Sequence, residues 1–148
     1  MVLDASPEMI EINRAKVQSD KVTYQQADLF QWQPEQQVDM IFFGFWLSHV
    51  PKEKLSPFLE MVHRALKPDG RLFFVDSQKV QTGTSTRQNI ATTNDIQKRV
   101  LNDGSEFEII KIYYNPDNLT QVLNDHGFDI TVQTTPTFFI YADGKKVN

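Results

Sequence analysis

The chain contains no cysteine in 148 residues. That excludes disulfides, a thiolate nucleophile and any cysteine-ligated zinc. Three histidines, His49, His63 and His126, are scattered without metal-ligand spacing, so no metal site is expected. The longest apolar run, Met40 to Leu47, is far shorter than the ~20 residues a bilayer-crossing helix needs. No basic-then-apolar leader opens the sequence, which argues against secretion. Positive charge is also scarce: 15 Lys and Arg against 19 Asp and Glu give a net charge of −4. A nucleic-acid groove needs a basic surface, so no nucleic-acid partner is expected. These absences predict a cytoplasmic protein with no membrane partner. No internal repeat is evident.

What is present suffices for a core. Apolar residues make up 40%, eleven of them Phe, and charged residues 23%, a balance typical of folded chains. The length predicts a single domain spanning 1–148.

Strands and helices alternate through the first half. The opening Met1-Val2-Leu3-Asp4-Ala5-Ser6-Pro7-Glu8-Met9 reads as the end of a buried strand, an acid at its tip, and a helix start. Ser6 suits an N-cap and Pro7 the first helical position, predicting a helix over Pro7–Val17 with a mixed apolar face. Residues 21–26 read as a short strand leading to Ala27-Asp28-Leu29, and 31–37 as a loop or one helical turn. Residues 38–43 are near-continuously apolar, the pattern of a strand buried on both faces. Ser56-Pro57 predicts a second helix start, with Leu55, Phe58, Leu59, Val62 and Leu66 forming one stripe. Lys67-Pro68-Asp69-Gly70 predicts a turn, and residues 71–76 the next strand. This alternation predicts a parallel sheet with helices on its faces.

The second half changes character. Residues 77–94, rich in Ser, Thr and Gln, read as a mobile surface segment or lid. Asp103-Gly104 signals a hairpin between residues 99–101 and 106–112. Asn115-Pro116 caps a third helix carrying Leu119, Val122 and Leu123 and ending at Gly127. The β-rich runs 128–134 and 137–141 are too close for a helical crossover, so they must pair antiparallel.

In open α/β sheets ligands bind at the carboxyl ends of strands, where an acid commonly grips ribose hydroxyls. Asp4 occupies such a tip, although an Asp there also favours a helix dipole. Asp28 follows a strand, although turns favour Asp too. Gly44, Phe45 and Trp46 lie just past the strand ending at Phe43. A Gly permits close backbone approach, and the aromatics either wall a pocket or pack in the core. His49 is the only histidine near this end of the sheet. Its imidazole titrates near neutrality and suits a general base, but no orienting partner is visible, and a structural role fits as well. His63 and His126 read as structural. Tyr113 and Tyr114 suit a pocket wall and a strand equally.

The order of these pieces resembles the class I S-adenosylmethionine-dependent methyltransferases. Residues 2–9 resemble that family's second strand and ribose-binding acid, and Ala27-Asp28-Leu29 its adenine-contacting acid. Residues 38–43 with Leu47-Ser48-His49-Val50-Pro51 resemble its fourth strand and following loop. Residues 66–72 resemble the turn into its fifth strand, and 128–141 its reversed last strand. The resemblance implies a Rossmann-like three-layer α/β/α sandwich, mostly parallel, closed by an antiparallel pair. It implies S-adenosylmethionine as cofactor, held by Asp4 and Ala5 at the ribose and by Met9, Asp28 and Leu29 around the adenine. Gly44, Phe45 and Trp46 would then lie at the reacting end, with His49 as the candidate catalytic base. Without an Asn-Pro-Pro-Tyr segment, the expected acceptor is a small molecule.

The family's first strand, glycine-rich loop and first helix have no counterpart in the 148 residues. The expectation is therefore a shortened form of a longer protein, or bare strand edges that pair directly or across a homodimer. Two other readings remain open. One is a degenerate, non-enzymatic binding protein of methyltransferase-like fold. The other is an NAD(P)-dependent oxidoreductase, which also places an acid at the second strand tip.

Overall fold

The computed structural model describes residues 1–79, 89–91, 95–101 and 103–147. They form two compact units, Met1–Glu35 and Gln36–Asn148.

The first unit is one βαβ element. Strand β1 (Val2–Asp4) leads into helix α1 (Pro7–Val17), which returns to strand β2 (Tyr24–Gln26). Ser6 caps α1 as the sequence predicts: its Oγ accepts from the Met9 amide at 3.2 Å. Gln18, in the left-handed region at φ 46°, ends the helix and donates its amide to the Arg14 carbonyl. β2 is shorter than the predicted 21–26, because a turn takes up the backbone donors ahead of it. The Ser19 carbonyl accepts from Val22 and the Ser19 hydroxyl from Lys21. β1 and β2 pair parallel, with Asp4 opposite Gln26.

The second unit opens with β3 (Val38–Gly44), a 3-10 turn (Leu47–His49), α2 (Lys52–Ala65) and β4 (Leu66–Ser77). Then follow β5 (Asn89–Ala91), β6 (Ile96–Val100), β7 (Glu106–Ile110), α3 (Pro116–Asp125), β8 (Phe128–Asp129), β9 (Val132–Thr134) and β10 (Phe139–Lys146). β3 and β4 pair parallel, while β10 lies antiparallel to β4, β8 and β9. This is the closing antiparallel arrangement the sequence predicts. The Asp103-Gly104 hairpin is also present: β6 and β7 pair antiparallel, and Gly104 has φ 84°. β5 adds to them as a separate three-stranded sheet. The whole is an α/β, Rossmann-like arrangement.

The core of this unit lies between α2, α3 and the five-stranded sheet. Leu47, Val50, Leu59, Leu66, Leu72, Phe74, Leu123 and Ala142 are fully buried. Among the described residues, no helix is long and apolar enough to cross a membrane.

Four expectations need correction. β3 is not buried on both faces: Met40 is 52% and Phe42 58% exposed. Within its sheet β3 lies at the edge with β4 as neighbour, and the face carrying Phe43 meets α2 through Phe58. α2 starts at Lys52 rather than at Ser56-Pro57 and carries Pro57 inside it. Burial of Leu47 and Val50 fixes the start, and packing of Phe58, Leu59 and Val62 outweighs the proline's lost hydrogen bond. The turn at 67–70 is a bulge within β4: Asp69 has φ 57°, and the β3–β4 register shifts there. Finally, the predicted surface segment 77–94 includes strand β5; its residues 80–88 and 92–94 lie outside the described residues.

Candidate cofactor and acceptor sites

In the first unit, parallel pairing brings the carboxyl ends of β1 and β2 side by side. The Ala27 amide donates to the Asp4 carbonyl at 3.0 Å, so the strand tips carrying Asp4 and Asp28 are adjacent. Asp4 is half-buried, and its Oδ1 accepts from the Ser6 amide at 2.8 Å. This bond shapes the corner from β1 into α1. Oδ2 accepts no bond among the described residues, so one carboxylate oxygen stays open to a hydroxyl donor. Asp28 is exposed and engaged on both oxygens, by the Phe30 amide and by Gln31 Nε2, each at 2.9 Å. A carboxylate oxygen has two lone pairs, so each keeps one acceptor position. Gln26 Nε2 donates to the Ala5 carbonyl at 3.1 Å and ties the two tips together. Met9 is exposed and Leu29 half-buried.

In the second unit, the carboxyl end of β3 runs into a strained corner. Phe45 has φ 55°, in the left-handed region, which costs a side-chain-bearing residue roughly 1–3 kcal/mol. Its amide donates to the Val75 carbonyl at 2.8 Å, and its ring meets Phe139 edge-on at 5.8 Å. The conformational demand thus falls on Phe45 and not on Gly44, where an added Cβ would meet only Phe42 and Val75 side chains at 3.4 and 3.6 Å. Trp46 is half-buried with its ring 6.3 Å from Phe58.

His49 has the orienting partner that sequence could not show. Its Nδ1 lies 2.6 Å from the Ile110 carbonyl. A carbonyl only accepts, so Nδ1 carries the proton and the neutral ring keeps its lone pair on Nε2. Burial holds His49 below its ordinary pKa, assisted by the Lys111 and Arg99 charges; the Ile110 bond and the Asp76 charge pull the other way.

Beneath this turn lies a buried polar cluster that sequence reasoning missed. Asp76, at the end of β4, is fully buried; its Oδ2 accepts from the Ser48 amide at 2.8 Å and its Oδ1 from the Ser77 amide at 2.6 Å. The Lys111 ammonium donates to Ser48 Oγ at 2.7 Å and to Ser77 Oγ at 3.1 Å, and lies 3.4 Å from Asp76 Oδ1. The Tyr114 hydroxyl donates to the Leu47 carbonyl at 3.4 Å. Burial first, then the Asp76 and Asp95 charges, pushes Tyr114 up to about 12, so it stays a neutral donor. Tyr113 accepts from Gln97 Nε2 at 3.3 Å. The one sequence signal was an acid closing an apolar strand, Leu72-Phe73-Phe74-Val75-Asp76. Nothing local to Lys111 announces its role. His63 and His126 sit as structural residues: His63 Nε2 bonds the Val147 carbonyl, and His126 bonds Ser56 and the Val122 carbonyl.

Parallel βα units with acids at their strand tips define a Rossmann-like, nucleotide-cofactor class of protein. Residues 1–70 match the family described as "Methyltransferase domain". Two solved structures of DhpI, one a complex with SAH and one a SAM–HEP complex, are 33% and 34% identical to the chain. They cover 98% and 96% of it, with TM-scores of 0.78 and 0.81. The chain spans 64% and 65% of the length of those DhpI chains. An S-adenosylmethionine-dependent methyltransferase from Mesorhizobium loti, 16% identical, shares the fold over 97% of this chain and 78% of its own, with a TM-score of 0.67. No curated protein matches the sequence. The first 70 residues thus match a methyltransferase-domain family, and the described chain shares the fold of S-adenosylmethionine-dependent methyltransferases.

Proposed function

We propose that this chain transfers a methyl group from S-adenosylmethionine to a small-molecule acceptor. The observation that carries the reading is the pair of adjacent parallel strand tips bearing Asp4 and Asp28, inside the segment matching the methyltransferase family. The donor set fits the cofactor. The open Oδ2 of Asp4 suits ribose hydroxyls, with Ala5 beside it. Asp28 suits the exocyclic adenine amine, and Met9 and Leu29 offer apolar contact to the ring.

When bound, S-adenosylmethionine supplies a sulfonium methyl group that is already strongly electrophilic. The protein's part is then mainly alignment, which is why no catalytic triad is needed. Gly44, Phe45 and Trp46 serve the reacting end; an aromatic face suits a sulfonium through cation–π attraction. His49 Nε2, with its lone pair, takes the acceptor's proton. The net charge of −4 and the lack of an Asn-Pro-Pro-Tyr segment favour a small-molecule acceptor over a nucleic acid. With no cysteine to protect or oxidise, the chain suits a cytoplasmic setting.

Calorimetric titration with S-adenosylhomocysteine and, separately, with NAD⁺ tests this. Saturable heat with S-adenosylhomocysteine and none with NAD⁺ is expected. Saturation by NAD⁺ alone would transfer the fold to the oxidoreductase reading. Binding of neither would leave a non-enzymatic scaffold.

A further inference from the structure

The Leu47–His49 turn is gripped at successive polar groups by two strand ends distant in sequence. Asp76 at the end of β4 takes the Ser48 amide, and Lys111 just past β7 takes the Ser48 hydroxyl. On either side of Lys111, the Ile110 carbonyl takes His49 Nδ1, and the Ile112 amide donates to the Ser48 carbonyl at 2.8 Å. Lys111 and Asp76 are the buried ion pair among the described residues, with side chains 8% and 1% exposed. The ammonium is spent on Ser48, Ser77 and Asp76 and has little surface to offer a ligand. A buried ion pair is weak as a source of stability and better attested as a device for fixing one arrangement.

We propose that Lys111 and Asp76 are positioning residues for His49: their ion pair locks the turn against the 110–112 segment, which keeps the His49 proton on Nδ1 and the lone pair on Nε2. The proposal rests on the reading of His49 as the base only for its catalytic consequence; the tautomer lock stands by itself. Without Lys111, the Ser48 hydroxyl and the Asp76 carboxylate lose their shared donor and the 110–112 segment loses its anchor to β4. The Ile110 carbonyl then no longer has a fixed place against the imidazole, and both ring tautomers become accessible.

The charged groups that face His49 are Lys111, Asp76 on β4 and Arg99 on β6. They give the test opposite signs. Nitrogen-15 NMR of ring-labelled histidine, on the full chain, reads both the tautomer and the titration midpoint of His49. Wild type should show the Nδ1–H form alone. Lys111→Met should raise the midpoint and mix the tautomers, whereas Lys111→Arg should restore the Nδ1–H form. The double variant Asp76→Asn/Lys111→Met removes both charges together and keeps the experiment interpretable where Lys111→Met does not fold. It should still mix the tautomers, because the anchor is gone.

An unmixed Nδ1–H form in Lys111→Met or in the double variant overturns the proposal. If mixing occurs but His49→Asn leaves methyl transfer unchanged, the lock stands and the base assignment falls. If His49 is the base, Lys111→Met should lower kcat by at least about tenfold with little change in KM, since misplacement acts on the chemical step.

Discussion

His49 is kept neutral by its surroundings, and that has a sign that can be measured. Its folded pKa lies below the ordinary value of about 6.5, chiefly because burial disfavours the imidazolium. Between the two values the unfolded chain holds a proton that the folded chain does not. Stability therefore rises with pH across that window and levels off above it. Urea unfolding of wild type and His49→Gln across this range should show the wild type losing ground steadily as pH falls; parallel curves would mean that His49 is not held neutral. At this scale legibility was uneven. That Asp4 and Asp28 stand at strand ends was legible because each follows a short β-rich run beside a capping or turn residue. Asp76 and Lys111 meet across 35 positions of sequence, and no local pattern encodes such a meeting. The orienting carbonyl of His49 was invisible for the same reason, since every residue has a carbonyl and only the fold selects Ile110.

At the scale of elements, β10 runs against the segment that follows β8 with no room to spare. A Cβ added to Gly144 would lie 2.4 Å from the Asp129 carbonyl oxygen and 2.5 Å from Ile130 Cβ. Both obstacles belong to or adjoin backbone, so β10 must separate from β8 to admit a methyl group. Gly144→Ala should destabilise by about 1–3 kcal/mol or more, as overpacking does, and shift the urea midpoint without changing the slope. An unchanged midpoint would show that β8 yields freely. Helices α1 and α3 were legible because Ser6-Pro7 and Asn115-Pro116 place a capping oxygen directly before a helical proline; Asn115 Oδ1 indeed accepts from the Asn118 amide at 3.0 Å. The same grammar misled at Ser56-Pro57, because tertiary burial of Val50 and Leu47 started α2 one turn earlier. The alternation of β3 was hidden because Phe42 and Met40 are as apolar as the residues that face α2, although they lie exposed.

For the molecule as a whole, the division of labour follows its two units. Residues 1–35 supply the strand tips suited to adenosine, and they fall below the ~40 residues at which small domains usually need outside support. Residues 36–148 carry the aromatic corner and His49, to which the proposed function assigns the acceptor. The fold class was legible because βα alternation and the closing antiparallel strands are written in the order of apolar runs and turn residues. The central claim is that the carboxylates on the tips of β1 and β2 hold the adenosine of the cofactor. It is tested most directly by calorimetric affinity for S-adenosylhomocysteine in wild type, Asp4→Ala and Asp28→Ala. Loss of charge-assisted hydrogen bonds worth roughly 1.5–3 kcal/mol each should weaken binding at least about tenfold in each variant. An affinity unchanged by both substitutions would contradict the account.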